Sequence, residues 1–216
     1  YVNVNAQQSS LWKMIYEDEF AAQTFDTNYW SYCPRINPDW GKYLVSSPAT
    51  VSTADGFLKL RLIKNTDTSV DKVLYLSGGI QTKGKFNFKY GKVEVRAKFS
   101  NGQGSWPAIW MMGTDRSTVG WPECGEIDIM EYVGYRPNVT QSSVHTQSYN
   151  HVAHTEKTAT KNIANAETEF HVYGLEWTED KITGYVDGIP YFTFANDKLG
   201  DKNTWPFDAP FYLKLN

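Results

Sequence analysis

The segment KVEVRAKF at 92–99 alternates without a fault. Val93, Val95, Ala97 and Phe99 fall on one side, and Lys92, Glu94, Arg96 and Lys98 on the other. A period of two belongs to a β-strand with one face buried and one wet. Runs of the same kind recur along the chain. Phe57–Ile63 follows Asp55-Gly56 and repeats the pattern through Leu58, Leu60 and Leu62. Val172–Trp177 and Lys181–Val186 are separated by three residues, and Asp187-Gly188 then turns the chain into Tyr191–Phe194. Asp-Gly between alternating segments signals a two-residue hairpin turn, whose central residues need positive φ. No helical period extends beyond about two turns. Short strands spaced by turns, in 216 residues, exceed an immunoglobulin unit and predict an all-β fold, an antiparallel β-sandwich of jelly-roll type. The segment 157–168, rich in Thr, Ala and Asn, is expected to be a surface loop.

There is no internal repeat, low-complexity tract or linker, so residues 1–216 are read as a single domain with material for one sizeable core. A formal charge of −3 and dispersed lysines argue against nucleic acid and anionic membranes as partners. No apolar run is long enough to span a bilayer, and the amino terminus carries no charged-then-apolar signal, as in a mature or trimmed form. Cys33 and Cys124 are read as two separate small buried side chains rather than a disulfide, since spacing alone says nothing of proximity.

The chemistry concentrates in GEIDIMEYVG at 125–134, where three carboxylates lie within six residues of an apolar, β-branched run. In a regular strand Glu126 and Asp128 share a face. Glu131, at an odd offset from Glu126, would then be driven into the apolar side at a large desolvation cost. One extra residue, a β-bulge at Ile129-Met130, would turn two successive apolar residues inward and return Glu131 to the face of the other acids. A helix is the rival arrangement. The β-branched residues and the bracketing Gly125 and Gly134 favour the bulged strand.

Aromatic residues converge on the same region. Trp106, Trp110 and Trp121 all lie within twenty residues of Glu126. Flat rings beside a few carboxylates suit a carbohydrate cleft, because sugars present apolar C–H faces and polar rims. Taken alone, Trp106 or Trp110 suits a core equally well. Three acids on one face repel one another unless a proton is held or a cation binds. A shared proton gives the nucleophile and acid pair that cleaves glycosidic bonds with retention at a separation of about 5 Å. A bound calcium ion would instead need about six oxygens, more than this strand supplies.

The motifs GSWPAIWMMG at 104–113 and WPECGEIDIMEYVG at 121–134 strongly resemble glycoside hydrolase family 16, in the branch with the bulged Glu-x-Asp-x-x-Glu motif that includes laminarinases and agarases. The resemblance extends to EDEF at 17–20, the segments 78–99, 143–151 and 171–182, and PFYLKLN at 210–216. It implies a concave substrate cleft, with Glu126 as nucleophile, Glu131 as general acid/base and Asp128 as the partner that orients Glu126. It also implies that Trp106, Trp110 and Trp121 line the subsites around the cut, and that His145 faces the cleft from the neighbouring strand, a buried structural histidine being the rival. Asn150 and His151 are candidates on the leaving-group side.

Two departures bear on the substrate. Where many family laminarinases carry an arginine in Ser-Gly-Arg-Ile, this chain has Gly79, and CPRINPDWGKY at 33–43 is similar to a subgroup of endo-β-galactosidases, making Arg35 and Trp40 candidate specificity residues. The expectation is a retaining endo-β-glycosidase acting on a polysaccharide or oligosaccharide, with a β-1,3- or mixed-linkage β-glucan leading. An endo-β-1,4-galactosidase on mucin-type or keratan-like glycans is the alternative, and a non-catalytic carbohydrate-binding sandwich is a second. No cofactor is expected beyond a structural calcium ion, and a secreted, periplasmic or cell-surface monomer is expected. Family members continue past the equivalent of Asn216, so the final strands of the sandwich are expected to be absent from this chain.

Overall fold

The computed structural model describes residues 12–100 and 102–216. Among the described residues fifteen strands and one helical turn follow one another: β1 (Ser31–Tyr32), β2 (Val51–Ala54), β3 (Phe57–Leu60), β4 (Leu62–Lys64), β5 (Tyr75–Ser77), β6 (Ile80–Gln81), β7 (Gly91–Ala97), β8 (Ala108–Gly113), α1 (Arg116–Val119), β9 (Glu126–Tyr132), β10 (Val139–His145), β11 (Lys157–Asn162), β12 (His171–Trp177), β13 (Lys181–Val186), β14 (Ile189–Ala195) and β15 (Phe211–Leu215). Seven of them form one sheet in the order β1-β6-β15-β8-β9-β10-β11. A second sheet runs β14-β13-β12-β7, and β2-β3 and β4-β5 are separate hairpins. The antiparallel sandwich expected from the alternation is therefore present.

The hairpin read at Asp187-Gly188 is present, and Asp55-Gly56 makes a second. Asp55 and Gly56 join β2 to β3 with φ of 57° and 73°, and Asp187 and Gly188 join β13 to β14 with φ of 51° and 75°. Two expectations need correction. Phe57–Ile63 is not one strand, because the chain passes from β3 to β4 at Arg61, whose Nη1 donates to Ser52 Oγ over 2.8 Å. The segment 157–168 is not all loop, because Lys157–Asn162 forms β11 against β10. Its alternation of exposed and half-buried residues is made by Thr, Ala and Lys, too polar to read as a strand until a neighbour supplies hydrogen bonds.

The core fills the space between the two sheets. Ile109, Met111, Ile127, Ile129, Met130 and Tyr132 from the larger sheet meet Tyr173, Leu175, Trp177 and Ile182 from the smaller. Trp177 is fully buried and donates its indole N–H to the Phe207 carbonyl over 3.1 Å. Burying such a ring removes on the order of 200 Å² from water and anchors the packing. Val93, Val95 and Ala97 of β7, an edge strand, pack partly buried against the same core. Strand β8 is buried on both faces. Ile109 and Met111 point into the sandwich, whereas Ala108, Trp110 and Met112 form a second apolar cluster on the outer face with Cys124 and Tyr212, covered by Trp40 and Trp121. That outer face carries the acids. Cys33 and Cys124 are free and buried.

Candidate active site

Strand register shows how three carboxylates reach one face. On β8 the partners of Glu126, Asp128 and Glu131 are Met112, Trp110 and Ala108, each two residues apart. On β10 they are His145, Ser143 and Gln141, again two apart. The neighbours keep period two while β9 advances two residues and then three, so one residue is extra. Ile129 and Met130 both turn into the core, at 1% and 0% exposure, and Glu131 returns to the face of Glu126 and Asp128. The bulge is held from behind. Ser142 Oγ, opposite it on β10, donates to the Ile129 carbonyl over 2.7 Å and lies 2.7 Å from the Tyr191 hydroxyl of β14.

Each outer glutamate is met by an indole. Trp121 Nε1 donates to Glu126 over 2.7 Å, and Trp106 Nε1 donates to Glu131 over 3.0 Å. Gln141 Nε2 donates to the other oxygen of Glu131 over 2.9 Å. Asp128 is buried at 2% exposure, and His145 Nε2 stands 3.2 Å from its Oδ2 without hydrogen-bond alignment. Burial raises the pKa of Glu126 well above the ordinary carboxylate value; the Asp128 charge adds to this and His145 opposes it. Burial likewise raises Asp128 well above its usual value, with the Glu131 charge adding and a hydrogen bond to Glu126 opposing. The Glu126–Asp128 pair thus resists double ionisation and tends to retain a proton at the centre of the row.

Other residues anticipated from sequence divide into two groups. Trp106 is exposed at 45%, Trp121 is half-buried, and Trp110 is buried on the acid-bearing face with its Nε1 donating to Asn216 Oδ1 over 2.7 Å. Trp40 stands edge-on to Trp110 with centroids 4.8 Å apart, which places the 33–43 segment over the same face. His145 and His151 both approach the Trp121 ring, at 6.0 and 5.0 Å. Arg35 and Asn150 are engaged elsewhere. Arg35 is fixed by two hydrogen bonds to Asp71, of 2.9 and 2.5 Å, and by a third to the Leu44 carbonyl. Its guanidinium clamps two loops, an arrangement that sequence spacing of 36 residues could not reveal. Asn150 is buried, with its amide donating to the Thr146 and Gln147 carbonyls and its oxygen accepting from Ala153 N–H. It shapes the 146–155 loop, with no side-chain donor left for a sugar.

A family model for glycosyl hydrolases family 16 matches residues 41–216. The chain belongs to that family. Among its relatives, the keratan-sulfate endo-1,4-β-galactosidase of Sphingobacterium multivorum is 40% identical over 217 residues, covering all of this chain and 51% of that protein. The β-glucanase of Rhodothermus marinus is 37% identical over 215 residues, covering 95% of this chain and 74% of that protein. This chain therefore spans about half the length of the first and three quarters of the second. Among solved structures, SCLam, a non-specific endo-β-1,3(4)-glucanase from family GH16, matches with a TM-score of 0.87 at 39% identity, over 94% of this chain and 79% of that one. The laminarinase from R. marinus matches with a TM-score of 0.87 at 35% identity, over 94% of this chain and 84% of that one.

Within this family-16 cleft several contributors escaped sequence reading. Gln141 contacts Glu131, Asn216 fixes Trp110, and Lys214 places its ammonium between Trp40 and Trp110. Gln141 could have been inferred from pairing β10 with the bulged strand; Asn216 and Lys214 depend on β15 lying beside β8. Glu126, Asp128 and His145 offer three donor atoms within 4.8 Å of one another. Three donors, one of them nitrogen, do not make the oxygen shell of six to eight that calcium requires, so a structural calcium ion finds no fit there.

Proposed function

We propose that this chain is a retaining endo-β-glycosidase that cuts internal linkages of a polysaccharide, with a β-1,3- or mixed-linkage β-glucan as the leading substrate. The observation that carries the reading is the bulge that puts Glu126, Asp128 and Glu131 on one face, with an indole donor on each outer carboxylate. A non-catalytic binding sandwich would have no use for three mutually repelling acids at that cost in desolvation. Ionised Glu126 attacks the anomeric carbon while Glu131 delivers its proton to the departing glycosidic oxygen, leaving a glycosyl ester on Glu126. Glu131, now a carboxylate, deprotonates the water that displaces the ester and releases a sugar of unchanged anomeric configuration. Asp128, with His145 beside it, holds a proton near Glu126 and steadies its orientation through both steps. Trp121 and Trp106 fix the outer carboxylates and offer ring faces to the sugars on either side of the cut. Carboxylates supply both nucleophile and proton, so the chemistry needs no cofactor, and polymeric substrates of this kind are met outside the cytoplasm.

A second reading, an endo-β-1,4-galactosidase acting on keratan-like or mucin-type glycans, has one observation in its favour. A Cβ at Gly79 would lie 3.0 Å from Asn216 Cβ and 3.1 Å from Leu44 Cδ2. Asn216 and Leu44 thus fill the space that a larger side chain at position 79 would need. The 40%-identical S. multivorum relative is named for that activity. Incubation with laminarin, mixed-linkage glucan and keratan-type glycans, followed by reducing-end assay and NMR of the first-formed anomer, tests both readings. New β-anomeric ends from one polymer class select the substrate. α-Anomeric products would remove the double-displacement mechanism.

A further inference from the structure

Lys214 is the only lysine or arginine that is buried among the described residues, at 5% exposure. On β15 it pairs with Trp110 of β8 on one side and Gln81 of β6 on the other, and Trp110 pairs in turn with Asp128. Directly opposed residues project to the same face, so Gln81, Lys214, Trp110 and Asp128 form one row across the cleft floor. Two strand spacings, roughly 10 Å, separate Lys214 from Asp128, within reach of a sugar bound beside the one undergoing cleavage.

The ammonium lies 4.1 Å from the Trp110 ring centroid and 4.2 Å from that of Trp40, the two rings being nearly perpendicular at 85°. The ring faces attract the cation but accept no conventional hydrogen bond. Among the described residues no carboxylate lies within ion-pair distance of it. Its three N–H donors and the side-chain amide of buried Gln81 have no protein partner there. Burial lowers the amine to about 8, with Cys33 and Glu126 opposing the shift and the like charges of Arg116 and Lys83 reinforcing it. It is still a cation at neutral pH. Lys83 Nζ is 5.9 Å from the ring of Tyr212, two residues before Lys214 on the same face. Three basic groups thus surround this end of the row, and their field favours an incoming anion.

We propose that Lys214, caged by Trp40 and Trp110 beside Gln81, is a specificity residue that receives an anionic substituent, a sulfate ester or a carboxylate, on a sugar bound along this row. The inference rests on the second reading above, a keratan-type glycan as substrate, and adds a charge requirement to it, since the β-glucans of the leading reading carry no anionic group. A neutral hydroxyl would be served by an amide alone. A buried cation without an acceptor gains most from a charged one, because a charge-assisted hydrogen bond restores what desolvation removed.

The test compares a 6-O-sulfated keratan-type oligosaccharide, its desulfated form and its C6-oxidised carboxylate form. Cleavage is followed with the wild-type chain and Lys214→Met, and binding is followed by calorimetry on Glu131→Gln with and without Lys214→Met. Methionine keeps most of the side chain's length and its unbranched shape while removing the charge. The wild type should favour an anionic form by about tenfold or more in kcat/KM and in affinity, and in Lys214→Met the ratio should fall to near one. Preference for the sulfate or for the carboxylate identifies the anion. Equal handling of charged and neutral forms by the wild type, which requires no variant, overturns the proposal, as does a preference that survives in Lys214→Met. If none of these oligosaccharides nor laminarin is cut, the endo-glycosidase reading fails, and the binding comparison still decides the role of Lys214.

Discussion

The Ser142 hydroxyl donates to the carbonyl of Ile129 over 2.7 Å, tying the extra residue of the catalytic strand to the strand beside it. Ser142 faces the second sheet, where Gly184 of β13 leaves room for it; a Cβ at Gly184 would lie 2.7 Å from Ser142 Oγ. The smaller sheet therefore helps to set the spacing of Asp128 and Glu131, although it contributes no acid.

Disturbing that contact should damage catalysis from behind. Ser142→Ala leaves the Ile129 carbonyl without this donor and should cost about 1 kcal/mol of stability. Gly184→Ala crowds Ser142 and should cost about 1–3 kcal/mol. Both should lower kcat about 10-fold or more with little change in KM, since misplacement by a fraction of an ångström weakens attack more than binding. Steady-state kinetics beside thermal melts would check this, and an unchanged kcat in both variants would show that the bulge holds itself.

The two outer glutamates should respond differently to azide. In Glu131→Ala an activated aryl glycoside needs no proton to leave, so the first step survives and azide should accelerate turnover to the β-glycosyl azide. In Glu126→Ala azide should attack from the vacated side and give the α product. Product anomers by NMR distinguish the two, and the reverse pattern would exchange the roles.

Removing the buried carboxyl should stabilise the fold while weakening the enzyme. Asp128 has a folded-state pKa raised by burial, so the folded state binds more protons than the unfolded one, and stability declines as pH rises from the ordinary aspartate value of 3.8 through the raised value. Asp128→Asn should therefore melt higher at neutral pH, by roughly 2–4 °C per kcal/mol recovered. The difference should narrow as pH falls toward 3.8. Activity of Asp128→Asn should fall at every pH. Melting curves across pH 3–8 give the sign directly.

Arg35 and Trp40, five residues apart in the same segment, should separate into scaffold and wall. Arg35→Ala breaks a partly exposed pair with Asp71, worth up to about 1 kcal/mol, and should change melting more clearly than substrate kinetics. Trp40→Ala removes a ring that covers Trp110 and Lys214 and should lower kcat/KM on long substrates about 10- to 100-fold. An aryl disaccharide too short to reach it should suffer less. A loss in Arg35→Ala matching that in Trp40→Ala would restore a direct role for the arginine.

Local pattern was enough for much of this molecule. Period-two alternation and the two Asp-Gly turns specify strands and hairpins, because side-chain direction and positive φ are properties of neighbouring residues. The odd spacing of Glu131 from Glu126, set against the cost of burying a carboxylate, was enough to require the bulge and to mark three acids as one constellation. Nothing local tells which distant strand will lie alongside. That β11 pairs with β10, that Arg35 meets Asp71 and that Asn150 serves its own loop depend on how separate segments are brought together by burial of the core. The same holds for Lys214, which reads as one polar residue in an alternating strand. Only the docking of β15 against β8, with the 33–43 segment folded over it, encloses that charge between two tryptophans and gives it a place in the cleft.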